Sequence, residues 1–423
     1  MAQGKQRDAS NFILPKTKFT AEEALRILLE SDKEGSFESE EEFSSSSESD
    51  YTESDSDSDI EAHELQAHLN VDCNKMSSAG VVQINKRKKF QNMQYSWSND
   101  EILGCCANYE FTGTPGVHPD ITTFKPHQLF EFFVTDEICD YIVEQTNLYA
   151  LQSLKEKQLK PKSRFKMWTP VTRDEILVRK VIKYDRFRLI DTFIHFVDYS
   201  NLEESALKCA KIKPIHDYLF TLFRKAYVPQ RNIAIDESLL LWKGRLSWKQ
   251  YIPSKRARFG LKSFILAESK TGYIWNGFLY TGKVDKINTD NCNYTATSIV
   301  MTLMNNLLNK GYCVFIDNWY TSVEVCHKLL LNKTDCVGTV RKDRKGLPTE
   351  LICKKIQPDE KFVHFEKSTG IMCTKWRDKM DIYLLSTCIK NSIVEVTRSR
   401  KPRIIPAVVD LYNKNMGGVD QGD

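Results

Sequence analysis

Apolar positions recur along the chain with two different periods, and the change from one to the other divides it. Between Phe130 and Ala150 the residues Phe132, Phe133, Ile138, Ile142 and Val143 fall at helical spacing, with Thr135 and Asp136 placed to start the helix. A second helix is predicted over 174–198, where Ile176, Val181, Ile182, Phe187, Ile190, Ile194 and Val197 form one face and Arg179, Lys180, Lys183, Arg186 and Arg188 the other. Residues 203–226 predict a third, broken by Pro214. The stretch from about 124 to 228 is therefore read as helical.

After Pro229 the period becomes that of strands. Asn232-Ile233-Ala234-Ile235 runs up to Asp236, residues 261–268 alternate, Lys270-Thr271-Gly272 turns, and residues 273–280 return. Residues 295–309 then predict a helix with Ile299, Val300, Leu303, Met304, Leu307 and Leu308 as its stripe and Gly311 as its stop. Residues 312–316 read as a buried strand ending at Asp317, and 321–332 as a helix with Thr321 and Glu324 in capping-box register. Three antiparallel strands, helix, strand, helix is the build of a ribonuclease-H-like mixed α/β sheet. Beyond it the chain is irregular and strand-rich, with 371–376 and 381–387 as strands.

The first 95 residues do not fit this picture. A short helix is predicted over 19–31, but residues 34–61 carry twelve acids, no Lys or Arg and almost no apolar content, so nothing offsets the entropy of ordering them. The tract is expected to be disordered, either a solvating tail or a target for an acidophilic kinase. Lys86-Arg87-Lys88-Lys89 follows, a nuclear import signal or an exposed basic turn. From Trp97 to Pro119 the Gly, Pro and Thr content, as in Phe111-Thr112-Gly113-Thr114-Pro115-Gly116, predicts an extended linker lying on something apolar.

Charge and composition sharpen the partner class. The formal net charge of the 423 residues is +4, and setting the twelve acids of that tract aside leaves +16 on the rest, which suits a polyanion such as nucleic acid, a soluble basic domain being the alternative. No apolar run approaches the ~18 residues that span a bilayer, and no basic segment feeding an apolar stretch opens the chain, so neither a membrane span nor a secretory leader is expected. The twelve cysteines include no C-x-x-C pair, which speaks against a zinc module and for buried free thiols in a reducing compartment.

Asp236 and Asp317 each follow a short apolar run, so each carboxylate is expected at a strand end. Neighbouring central strands would bring them together, and two close carboxylates repel unless a hard divalent cation bridges them. Such a pair can activate an attacking oxygen and stabilise a leaving one in phosphoryl transfer. The alternative is that each Asp only ends its strand or caps the turn that follows.

Four ordered motifs resemble those of piggyBac-type transposases. They are Ile235-Asp236-Glu237-Ser238-Leu239-Leu240-Leu241-Trp242-Lys243-Gly244-Arg245, then Tyr251-Ile252-Pro253-Ser254-Lys255 with Phe259-Gly260-Leu261-Lys262, then Ile316-Asp317-Asn318-Trp319-Tyr320-Thr321-Ser322, and last Gly417-Gly418-Val419-Asp420. The resemblance extends over about residues 95–423. It implies a metal-dependent DNA transposase with a ribonuclease-H fold, whose essential aspartates fall on Asp236, Asp317 and Asp420 and hold two Mg²⁺, with Asp423 as a further carboxylate. It also implies hydrolysis at a transposon end, a hairpin formed by the freed 3′-OH, joining to TTAA target sites, a homodimer and a nuclear location. Lys243, Arg245, Lys249, Lys255, Arg256, Arg258 and Lys262 would line the phosphate path, while Trp242 and Trp319 are available for stacking or for core packing, the core being the expected place.

The domains then read as a largely disordered 1–95, a linker and helical dimerisation and DNA-binding domain over 96–228, the first part of the catalytic sheet over 229–340, an insertion domain over 341–403, and the start of the third motif over 404–423. Arg398-Ser399-Arg400-Lys401-Pro402-Arg403 in that insertion is either a DNA contact or a surface linker. Two departures from the family are visible. Near Ile176-Leu177-Val178 an apolar helical stretch is missing, and the chain stops at Asp423 as the third motif opens. Chain ends fray, so Asp420 and Asp423 are expected to be poorly held and catalysis impaired by truncation. The alternative is a domesticated, non-catalytic DNA- or chromatin-binding protein.

Overall fold

The structure is a computed structural model that describes residues 95–100, 109–156, 159–160, 162–177, 182–198, 200, 202, 208–253, 255, 257–282, 295–398 and 401–422. The helix predicted over 19–31, the acidic tract 34–61 and the basic run 86–89 lie outside the described residues.

The strands are β1 (Trp97–Ser98), β2 (Gly116–Val117), β3 (Tyr227–Val228), β4 (Asn232–Leu241), β5 (Gln250–Tyr251), β6 (Phe259–Glu268), β7 (Ile274–Leu279), β8 (Cys313–Ile316), β9 (Asp335–Thr339), β10 (Lys361–Glu366), β11 (Met372–Arg377), β12 (Asp381–Ser386), β13 (Ile393–Arg398) and β14 (Lys401–Pro406). Ten of them form one mixed sheet in the order β1-β10-β11-β12-β9-β8-β4-β6-β5, with β7 also on β6. β4, β6 and β7 are antiparallel, while β8 and β9 run parallel to β4. This is the expected ribonuclease-H-like core. Strands β10 to β12 of the expected insertion extend the same sheet, because β12 pairs with β9 through Leu384 to Thr339 and Ser386 to Val337, while β13 and β14 pair with each other in a separate ribbon.

Helices cover both faces, which is why the central strands are apolar on both sides. In β8, Val314 and Ile316 pack with Ile299, Val300, Leu303 and Met304 of a helix over Ala296–Met304 and with Val323, Cys326 and Leu329 of a helix over Val323–Leu331. Cys313 and Phe315 face the other way, toward Val408 and Val409 of a helix over Ala407–Asn415. The first helix starts where Thr295 accepts a hydrogen bond from the Ser298 N–H at 3.2 Å. The second is capped by Ser322, which accepts from the Val325 N–H at 3.2 Å, and the Thr321 hydroxyl instead donates to the Asp317 carbonyl at 2.6 Å.

The N-terminal half differs from its pattern in two places. The predicted helix over 174–198 is two helices, Arg173–Leu177 and Tyr184–Phe193, with residues 178–181 outside the described set. Arg186 on the second is doubly bonded to Glu175 on the first at 2.7 Å and lies over the Trp168 ring, so an ion pair holds the two closer than eleven residues of continuous helix would allow. Pro214 does not break a helix but begins one, Lys213–Ala226, where its missing N–H costs nothing. That helix seats Phe220 against Gly277 of β7.

Residues 109–118 form the expected strap over an apolar surface. Phe111 packs edge-on against Tyr312 at 4.9 Å between ring centroids, and the Thr112 N–H donates to the Lys310 carbonyl at 3.1 Å. The strap crosses Gly311, whose φ of +76° and whose 2.2 Å gap from a notional Cβ to the Glu110 carbonyl oxygen leave no room for a side chain. All eight cysteines among the described residues are free, six of them buried. Among the described residues no helix is long and apolar enough to cross a membrane.

Gly311→Ala is expected to destabilise the protein by about 2 kcal/mol or more, because it combines a strained φ with displacement of the strap. Gly417→Ala, where a Cβ meets nothing within 4 Å, is expected to stay within about 0.5 kcal/mol of wild type. Urea unfolding measures both, and equal effects would contradict the packing described.

Candidate active site

The parallel pairing of β4 with β8 sets the site. Its register runs from Asn232 opposite Cys313 to Ile235 opposite Ile316, so the next residues, Asp236 and Asp317, emerge side by side from strands about 5 Å apart. Asp236 is not at a strand end as its pattern suggests. It sits midway along β4, which continues to Leu241 against β6. Asp317 does follow the last residue of β8.

Each carboxylate is tied to nearby backbone. Asp236 Oδ1 accepts from the Glu237 N–H at 2.8 Å, and Asp317 Oδ1 accepts from the N–H groups of Trp319 at 2.9 Å and Tyr320 at 3.3 Å. The Asp317 turn thus locks its own side chain. Those bonds favour the ionised forms, yet burial and like charge win. Burial first, then the charges of Glu237 and Asp317, push Asp236 up to about 7. Burial and Glu237 likewise raise Asp317.

Glu237 is the site residue that the sequence reading passed over. Its charge acts on both aspartates, and its Oε2 accepts from the buried Tyr320 hydroxyl at 3.4 Å. The signal was present in the sequence, since a second acid directly after the first breaks the apolar alternation of the strand.

Two lysines face the acids. Lys255 Nζ donates to the Glu237 carbonyl at 3.0 Å, stands 3.7 Å from Asp420 Oδ1 and lowers the Asp236 pKa. Lys262 lies over the rings of Phe264 at 5.0 Å, Trp319 at 5.6 Å and Tyr280 at 5.9 Å, and lowers Asp317. Lys262 is thus a fixed charge in an aromatic cage beside the site.

Asp420 lies on a short helix, Gly418–Gly422, seated on the same sheet. Fully buried Val419 packs on Ile265 and Ala267, and Gly418 approaches the Glu268 carbonyl so closely that a Cβ would come within 2.8 Å of its oxygen. The segment is held, while the Asp420 side chain is 67% exposed and turned to Lys255. Asp423 and Arg256 lie outside the described residues. Lys243, Arg245 and Arg258 are exposed, Lys249 is half-buried and stands 5.4 Å over the Phe259 ring, and Arg403 of the second basic cluster is engaged at 2.6 Å by Asp359 and Asp378. Trp319 packs in the core as expected, but Trp242 is 42% exposed.

Asp236 and Asp317 fit a hard divalent cation by donor type and by their raised pKa values, caused first by burial and then by the Glu237 charge, which a cation would offset. Among the described residues no group of three or more acids, histidines or cysteines is gathered closely enough to hold a metal. The third nominal carboxylate is on Lys255 instead.

A family model described as Transposase IS4 matches residues 159–423. The chain is 26% identical over 332 residues to human PiggyBac transposable element-derived protein 3, an alignment covering 70% of this chain and 55% of that protein. It is 26% identical over 337 residues to human PiggyBac transposable element-derived protein 2, covering 71% and 55%. The chain spans about half the length of these curated relatives. A cryo-EM structure of a piggyBac transposase synaptic complex with hairpin DNA superposes with a TM-score of 0.61 at 25% identity, over 73% of this chain and 69% of that one.

The raised Asp236 pKa has a consequence for stability. Between the unfolded value of 3.8 and about 7 the folded chain holds a proton that the unfolded chain releases, so the metal-free fold loses stability as pH rises through that window. Asp236→Asn cannot ionise and is expected to exceed wild type by about 1–2 kcal/mol above pH ~7, with the gain gone below pH ~4. Thermal melts in chelator across that range measure it, and a pH-independent difference would contradict it.

Proposed function

The chain belongs to the piggyBac-type transposase family, and on that premise we propose that it binds double-stranded DNA across the Asp236–Asp317 end of its sheet and supports metal-dependent cleavage and transfer of DNA strands there. The observation that carries this reading is the β4–β8 register, which leaves two partly buried carboxylates side by side, their charge only partly offset by Lys255 and Lys262. Asp236 and Asp317, once deprotonated, would hold the ion, with Mg²⁺ the expected occupant. The bound ion supplies neutralisation of the charge that develops on the transferring phosphoryl group. The backbone N–H groups of Trp319 and Tyr320 fix the Asp317 carboxylate, and the Glu237 N–H fixes that of Asp236, so neither has to reorganise when a phosphodiester arrives. Exposed Lys243, Arg245 and Arg258 bring positive charge to the DNA backbone. Transposon ends and TTAA sites as substrates, a homodimer as the working assembly and the nucleus as the compartment belong to the same reading and rest on family membership.

A second reading is favoured by one observation. Asp420, the third carboxylate of the family motif, faces Lys255 and solvent. Under that reading the chain contacts DNA or chromatin through its basic surface, and catalysis is impaired or absent.

Nicking of a supercoiled TTAA-containing plasmid separates the two. The first reading predicts Mg²⁺-dependent nicking that falls about 10²-fold or more in Asp236→Ala and Asp317→Ala, while duplex binding persists. Binding without nicking selects the second reading. Nicking that continues in chelator, or that ignores both substitutions, would contradict the first.

A further inference from the structure

Beyond the aspartates, the far end of β4, β5 and β6 carries three large aromatic residues that the core does not take. Tyr251, Phe259 and Trp242 are 54%, 48% and 42% exposed. They share one neighbourhood. Tyr251 of β5 pairs directly with Phe259 of β6, their rings stacked at 4.5 Å, and the Trp242 N–H donates to the Phe259 carbonyl at 3.3 Å. Leu241 pairs with Gly260 in an unbroken register that also pairs Asp236 with Ile265, so alternation puts Trp242 and Phe259 on the face of the sheet that carries Asp236. The row lies about 20 Å along β4 from that aspartate.

The local sequence supports the flat arrangement. A Cβ on Gly244 would come within 2.8 Å of Trp242 Nε1, so the glycine lets the indole lie down over its own turn. A Cβ on Gly260 would come within 2.2 Å of the Leu240 carbonyl oxygen, so that glycine lets the strands close up beneath the rings. Around the row stand Lys243, Arg245, Lys249 and Arg258, with Lys249 Nζ 5.4 Å over the Phe259 ring. Among the described residues none of the four is engaged by a carboxylate.

Aromatic rings about half open to solvent and ringed by cations that no carboxylate among the described residues engages match the chemistry of a single DNA strand. Bases offer π-faces only where they are unpaired, and the phosphates that connect them need positive charge alongside. Acidic side chains would meet these four cations but leave the ring faces unused, as would paired duplex. We propose that Trp242, Phe259 and Tyr251 form a stacking platform for unpaired bases of a DNA strand whose phosphates Lys243, Arg245, Lys249 and Arg258 hold. The proposal rests on the DNA-binding reading above and adds that this surface distinguishes unpaired from paired DNA.

Fluorescence anisotropy with two labelled probes tests it: a blunt duplex, and the same duplex with a single-stranded tail of several nucleotides. Wild type is expected to bind the tailed probe more tightly. Trp242→Ala and Tyr251→Ala are each expected to lose about 5- to 100-fold on the tailed probe and to leave blunt-duplex affinity unchanged, with Trp242→Phe recovering most of the loss. Lys249→Gln is expected to lower the salt dependence of binding to both probes, whereas the aromatic variants leave it unchanged. Circular dichroism confirms that each variant is folded. Equal affinity of wild type for the two probes, or alanine variants that weaken both probes alike, would overturn the platform while leaving duplex binding intact. Failure of wild type to bind either probe would overturn the DNA-binding reading along with it.

Discussion

Two carboxylates that repel each other are forced together by the register of two apolar strands. Ile233, Ala234 and Ile235 of β4 and all four residues of β8 are buried on both faces, so neither strand can slip without moving an entire apolar set out of the core. Asp236 and Asp317 inherit their proximity from that packing. That packing also raises the pKa of both, through burial first and then the Glu237 charge, with Asp317 adding to the rise at Asp236. The hydrophobic faces above and below the sheet therefore sustain a local electrostatic conflict, of the kind that clusters at functional sites.

The conflict is tempered without being removed. Lys255 and Lys262 reach the acids from opposite sides, one on the loop that follows β5 and one inside β6, and each has a second anchor, the Glu237 carbonyl for Lys255 and three aromatic rings for Lys262. Lys255 also meets Asp420, so the third motif is coupled to the first through one ammonium group. The short helix that carries Asp420 is positioned by Val419 and Gly418 and not by its length, which explains how five residues keep a defined place on the sheet.

Much of this was legible in the sequence where burial dictates residue type. Val314 and Ile316, with Ile299, Val300 and Leu303, announced a doubly covered strand and its helix, and the two aspartates stood out as acids beside apolar runs. Other features were not legible because they depend on partners distant in sequence. The break between the helices at 173–177 and 184–193 reflects the Arg186–Glu175 pair, and nothing in the local period forecasts it. Asp236 looked like a strand end because apolarity changes there, yet hydrogen bonding to β6 carries the strand five residues further. Residue type alone left Trp242 either stacking or packing in the core, and the structure leaves it exposed beside exposed Leu240 and Leu241 at the end of β4. The excursion of β10 to β12 into the main sheet is also a matter of edge pairing, which alternation cannot specify.

The central claim is that Asp236 and Asp317 act as one unit toward a hard divalent cation. Mn²⁺, a paramagnetic stand-in for Mg²⁺ with the same preference for oxygen ligands, allows bound and free metal to be counted by electron paramagnetic resonance. Asp236→Asn and Asp317→Asn should each remove as much Mn²⁺ binding as the double substitution does. If each single substitution removes only part of the binding and the two losses add, the carboxylates act independently, and the account of the β4–β8 register as the maker of the site is contradicted.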